Sequence, residues 1–234
     1  YLGVPGAKVD VVPLGINVTG YEPRPSADTT SDRCVIGYFG RIAPEKGTHL
    51  LCEAFHRLRH LGQYATTSVR IAGYVGPEHR SYFESLQRQV KAWGLEDDVT
   101  FEGTLDRARK VDFLRKLDLF VVPAVYDDPK GLALLEAMAC GVPVVTPRRG
   151  TYTEMVERTG GGVLVPPDDI DALVVTLAGL EADPARRVQL GTAGAVGVRS
   201  HYTAIGMAES AIGIYENLVG RTSLVDRPLA AVDN

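Results

Sequence analysis

Two carboxylates, Asp128 and Glu136, stand eight positions apart in the stretch YDDPKGLALLEAMACGVP, residues 126–143. Pro129 disfavours a helical backbone at the residue before it, so Asp128 is expected in a loop. Gly131 then opens a run of good helix formers, expected to bury Leu132, Leu135 and Met138. One acid would approach a ligand from the loop, the other from one to two turns into the helix. Between them, the unpaired N–H groups of the first helical turn make an anion site. A carboxylate accepts hydrogen bonds from vicinal hydroxyls. Hydroxyl-binding acids around a phosphate-binding helix start suit a nucleotide sugar.

A second constellation lies in VIGYFGRIAPEKG, residues 35–47. An apolar strand is expected to end at Phe39, and Gly40 lets the backbone turn sharply. Arg41 and Lys46 follow, ahead of a helix. Two cations at the carboxyl end of a parallel strand sit where open α/β sheets bind ligands. Arginine grips phosphate in bidentate fashion, and lysine supplies a compact charge. The same turn lacks the G-x-G-x-x-G spacing of a dinucleotide dehydrogenase, and no P-loop is present.

These motifs resemble those of retaining glycosyltransferases of family 4 (glycosyl transferases group 1), which have the two-domain GT-B fold. DPKGLALLEAMACGVPVV resembles the family's E-P-F-G-x-x-x-x-E-A-x-A-x-G-x-P-V-V. Asp128 stands where the family carries Glu, one methylene longer, and Lys130 where it usually carries an aromatic residue. GRIAPEKG resembles the family's G-R-L-x-x-x-K-G. The resemblance implies that Arg41 and Lys46, beside Gly40, hold the donor diphosphate and stabilise it as it leaves. It implies that Glu136 binds the ribose hydroxyls. It implies that Asp128 meets the sugar hydroxyls, helped by backbone N–H groups of Lys130, Gly131 and Leu132. VTFEGTLDRARK resembles V-x-F-x-G-x-V, which makes Gly103, Thr104 and Leu105 candidates for backbone contacts to the nucleobase. No cofactor and no divalent metal is implied, since the two cations take that place. The substrate would be a UDP- or GDP-linked sugar, transferred with retention by a front-face displacement that needs no protein nucleophile.

Apolar runs of four to six residues alternate with amphipathic segments along most of the chain, which predicts an α/β domain with a doubly wound parallel sheet. Strands are expected at 8–16, 35–39, 69–72, 99–102, 119–122, 144–146 and 162–165. Helices are expected near 47–61, 79–93, 107–116, 131–140, 152–157, 170–181, 184–200 and 204–219. Residues 20–32, rich in Pro, Ser, Thr and Asp, read as a loop. Residues 221–234 show no period and read as a mobile tail. Gly73 is expected to serve close packing or a turn near the ligand, and Glu154 to cap or brace a helix. Arg148 and Arg149 could face either the cleft or solvent. The tyrosines and Trp93 read as packing, and His49, His56 and His60, on one helix but without triad spacing, as surface or core residues.

The resemblance spans residues 8–219 but corresponds only to the Rossmann-like C-terminal half of a GT-B enzyme. Residues 1–220 would be the donor domain, and the acceptor-binding N-terminal domain would lie upstream. The chain opens on Tyr1, not Met, which fits a piece of a longer protein. Its own N-terminal half is therefore an expected partner, which an apolar face of the last helix would cover. The net charge of −4 gives no basic stripe for nucleic acid. No apolar run reaches the roughly 18–20 residues of a membrane span, which leaves peripheral membrane association of the parent open. Three widely spaced cysteines read as reduced thiols in a cytoplasmic protein, and five scattered histidines form no metal-ligand cluster. Two other readings stay open: a nucleotide-sugar-binding module that catalyses nothing, and a GT-B relative such as a sugar-nucleotide epimerase or a phosphorylase.

Overall fold

The computed structural model describes residues 6, 9–23, 34–62 and 66–219. Six strands, β1 (Val35–Phe39), β2 (Ser68–Ala72), β3 (Val99–Gly103), β4 (Leu119–Val121), β5 (Val144–Pro147) and β6 (Gly162–Val165), form one sheet in the order β3-β2-β1-β4-β5-β6. Every pair is parallel. β4 and β5 are buried along their whole length, as expected of central strands covered on both faces.

The helices are α1 (Thr48–His60), α2 (Arg80–Ala92), α3 (Arg107–Arg115), α4 (Leu132–Ala139), α5 (Gly150–Thr159), α6 (Ile170–Glu181), α7 (Pro184–His201) and α8 (Ala204–Val219). α1 packs against α6 in one layer, and α4 and α5 pack against α7 in the other. Aspartates at the N-caps of α3, α6 and α7 each accept a first-turn N–H at 2.8 Å. The strand order reverses between β1 and β4, so the loops leaving their carboxyl ends diverge and open a crevice. This is the doubly wound, Rossmann-like architecture expected from the sequence.

Two expectations differ from the structure. The expected strand at 8–16 is not part of the sheet, and Lys8 lies outside the described residues. Among residues 9–16 only Ile16 pairs, in an isolated parallel bridge with Thr203. Val11 and Leu14 are exposed, and Pro13 has no N–H to give a ladder. Leu132 is 38 % exposed, because the first residue of α4 lies at the mouth of the crevice; Leu134, Leu135, Ala137, Met138 and Ala139 form the buried side. Lys46 is the last residue of a 3₁₀ turn, Pro44–Lys46, that leads into α1. The 221–234 tail and most of the 20–32 loop lie outside the described residues. α8 has no buried residue and exposes Ile205, Tyr215 and Leu218. Cys34, Cys52 and Cys140 are buried and free. Among the described residues no helix is long and apolar enough to cross a membrane.

Candidate functional site

The loops that follow β1, β2 and β3 are held edge to edge. The Gly40 N–H donates to the Ala72 carbonyl (3.1 Å), and the Gly73 N–H to the Gly103 carbonyl (2.8 Å). Gly73 has φ +147°, and a Cβ there would come within 1.7 Å of the Gly40 oxygen. Only glycine allows this approach.

Beside this edge, between the loops after β1 and β4, lies a cleft of about 490 Å³. Gly40, Arg41, Lys46, Asp128, Lys130, Gly131 and Leu132 all line it, so the structure brings together seven of the expected site residues. The Arg41 side chain is 45 % exposed and pairs with Glu45. Lys46, at the end of the 3₁₀ turn, pairs with Asp128 and donates to the Tyr126 hydroxyl at 2.5 Å. Burial works against the Lys46 charge, but these bonds outweigh it and hold the pKa above the ordinary lysine value.

Asp128 is 6 % exposed. Its Oδ2 accepts from Lys46, from the Tyr126 hydroxyl (3.0 Å) and from the Tyr152 hydroxyl (2.9 Å), while Oδ1 accepts from the N–H groups of Lys130 (2.9 Å) and Gly131 (3.2 Å). Burial alone would raise the carboxyl pKa; Lys46, the two amides and Tyr152 hold it well below the usual carboxylate range. A carboxylate offers about four lone-pair sites, so this one is saturated by protein donors. The Lys130 and Gly131 amides, expected to face a ligand, turn to Asp128 instead. Leu132 and Ala133 line the cleft from the first turn of α4, where helix geometry leaves N–H groups without intrahelical partners. The loop is also tied to α5: the Thr151 N–H donates to the Asp128 carbonyl (3.1 Å) and the Gly150 N–H to Asp127 Oδ1 (3.1 Å).

Glu136 forms a separate cluster around the next turns of α4. Its Oε1 accepts from the Tyr21 hydroxyl (2.8 Å) and Lys110 Nζ (2.5 Å). Lys110 also sits 5.4 Å from the centre of the Phe39 ring, and Phe39 lines the cleft, so the two clusters share a wall. Gly103, Thr104 and Leu105 lie on the same sheet edge but outside the cleft lining; Gly103 and Thr104 are exposed, and the Leu105 side chain is buried. Glu154 is exposed and lies 3.7 Å from Arg158 on α5, a helix-surface pair. Arg148 pairs with Glu157, and Arg149 with Asp168.

Tyr21, Lys110, Tyr126 and Tyr152 are the site residues that sequence reading missed, since the tyrosines read as packing. Their rings do pack; the hydroxyl at each tip makes the polar contact. Those contacts span 115 residues for Tyr21 with Glu136 and 24 for Tyr152 with Asp128, and no local pattern encodes them.

The profile of the family "Glycosyl transferases group 1" matches residues 22–196. The chain is 31 % identical over 217 residues to the lipopolysaccharide core biosynthesis mannosyltransferase LpcC of Rhizobium leguminosarum bv. viciae, covering 90 % of this chain and 60 % of that protein. It is 32 % identical over 203 residues to the GDP-mannose-dependent alpha-(1-6)-phosphatidylinositol monomannoside mannosyltransferase of Mycolicibacterium smegmatis, covering 81 % of this chain and 51 % of that one. The chain thus spans little more than half the length of these curated relatives. The crystal structure of the C-terminal domain of a group 1 glycosyl transferase, LpcC from Francisella tularensis, superposes with a TM-score of 0.70 at 26 % identity, over 81 % of this chain and all of that one. With that sheet, that cleft and this match over most of its length, the chain belongs to the glycosyl transferases group 1 family.

Proposed function

We propose that this chain is the donor-binding half of a retaining glycosyltransferase of family 4 that uses a nucleotide-diphosphate sugar. The observation that carries the reading is the convergence of Arg41, Lys46 and the first turn of α4 on one cleft at the strand-order reversal. A diphosphate seated there meets two cations and a helix N-terminus. The anomeric carbon's bond to the diphosphate breaks as an acceptor oxygen bonds to the same face. The acceptor proton passes to the leaving diphosphate oxygen. Arg41 and Lys46 neutralise the charge that grows there, the kind of electrostatic stabilisation that usually dominates such sites. Glu136 binds the ribose hydroxyls, and the exposed turn at Gly103 and Thr104 meets the base. Because Asp128 is saturated, it gains a sugar hydroxyl only when a donor leaves it. Lys46 is the donor with a competing anionic partner, so an arriving diphosphate draws Lys46 away and frees Asp128 for the sugar. The acceptor is held by a separate N-terminal half, and the three buried thiols suit a reducing, cytoplasmic compartment.

The test is calorimetric titration with UDP, GDP and ADP and their sugars, GDP-mannose first, since one relative is named for it. Lys46→Met is expected to weaken diphosphate binding by about 1.5–3 kcal/mol, the range for hydrogen bonds to charged groups. Binding of the bare nucleoside should stay unchanged. Equal diphosphate affinity in parent and variant would remove Lys46 from the phosphate grip.

A further inference from the structure

Glu136 offers one oxygen to the protein and keeps the other. Tyr21 and Lys110 both donate to Oε1, and among the described residues Oε2 has no partner. The carboxylate is 15 % exposed, and the Lys110 side chain 18 %. A carboxylate on a long side chain would otherwise sample several rotamers; two donors on the same oxygen select one.

Both donors are themselves fixed. Tyr21 is 1 % exposed and lies on the segment that runs along the domain before β1. Its carbonyl accepts from Arg199 of α7 at 2.8 Å, and Arg107 of α3 lies 5.3 Å from its ring centre while donating to the Thr19 carbonyl at 2.8 Å. Burial, then the hydrogen bond to Glu136, raises the Tyr21 pKa, so its hydroxyl stays a donor at neutral pH. Lys110, on α3, spans the rings of Tyr21 (5.8 Å) and Phe39 (5.4 Å). Three separate parts of the chain, at 21, 110 and 136, therefore meet at one carboxylate. The family match begins at residue 22, one position after Tyr21.

We infer that Tyr21 and Lys110 are positioning residues: they clamp Oε1 of Glu136 so that Oε2 is held out for the ribose hydroxyls of the nucleotide. The inference rests on the proposed ribose role of Glu136. Neither residue touches ligand. Their effect reaches it through the carboxylate, so it vanishes for a ligand without ribose hydroxyls.

The experiment measures binding of UDP and GDP and of their 2′,3′-dideoxy counterparts to the full chain, and follows the ratio of ribose to dideoxyribose affinity. Tyr21→Phe keeps the ring and removes the donor; Lys110→Met keeps the stem and removes the charge. Each is expected to lower the ratio about three- to tenfold, the scale of one hydrogen bond, with dideoxy binding unchanged. Lys110→Arg should restore part of it. Glu136→Gln is the reference. If Glu136→Gln leaves the ratio unchanged, the ribose reading fails and the clamp fails with it. If Glu136→Gln lowers the ratio while Tyr21→Phe and Lys110→Met do not, the ribose reading stands and the clamp alone is overturned. Equal losses for both sugar forms in the two clamp variants would mean a merely structural role, and would overturn it too.

Discussion

Asp128 carries the densest set of contacts in the cleft, and its folded-state pKa lies below its unfolded value of about 3.9. A depressed carboxyl pKa means that the unfolded chain takes up the proton first. The stabilisation is therefore complete above the unfolded value and is lost as pH falls through the folded one. The expected outcome is a urea midpoint for the parent that drops on acidification from about pH 5 to about pH 2.5, more steeply than that of Asp128→Asn. Parallel acid profiles for the two proteins would show that Asp128 does not carry this linkage. At this scale the sequence was readable where chemistry follows spacing: the eight-residue interval from Asp128 to Glu136, and the Arg41–Lys46 pair after a strand. It was unreadable where a side chain finds its partner through the fold. Asp128 as a free acid and Asp128 ringed by Tyr126, Tyr152 and Lys46 have the same local sequence.

Strands and helices from residue 35 onward follow their apolar periods closely, and the ends differ by a residue or two. The misread element is 8–16, whose apolar pattern joins no strand of the sheet: Pro13 interrupts it, and Ile16 bridges only Thr203. Leu132 was misplaced because periodicity says which residues share a face but not where the helix begins to be covered. Gly73 shows what an element junction demands. Its φ of +147° and the 1.7 Å approach of the Gly40 oxygen leave no room for a side chain. Gly73→Ala is expected to destabilise the fold by about 1–3 kcal/mol, the cost of strained backbone. Because the displaced backbone is the loop carrying Arg41, diphosphate affinity should fall as well. Denaturant melts and the same titration check both; an unaltered melt would mean that the loops relax apart freely.

At the scale of the whole chain, it spans little more than half the length of these relatives, and its cleft is built from one sheet. A donor can be bound by such a surface. Holding an acceptor against the anomeric carbon needs a second wall, and positioning of this kind is worth up to about 7–11 kcal/mol. The chain alone is therefore expected to bind a nucleotide sugar and transfer nothing. Incubation with radiolabelled GDP-mannose and UDP-glucose plus lipid, glycan and small-alcohol acceptors tests this, and acceptor-dependent turnover would show that the second wall is dispensable. The fold class and the family were legible because the motifs all belong to one domain. The acceptor was not, since no residue that would touch it is required by the donor motifs.

Ile16 and Thr203 are joined side by side: the Ile16 N–H donates to the Tyr202 carbonyl (2.8 Å) and the Ala204 N–H to the Ile16 carbonyl (2.9 Å). Gly15 makes this possible, since a Cβ there would lie 2.1 Å from the Thr203 oxygen. The two segments run in the same direction. Tension applied through the residues before Gly15 and after Ala204 would thus slide one segment past the other and load both bonds at once, instead of opening them in turn. Mechanical strain carried along the polypeptide would be resisted at this stitch in shear. Past it, along the same strand of chain, Arg107 holds the Asn17 and Thr19 carbonyls, and Tyr21 follows.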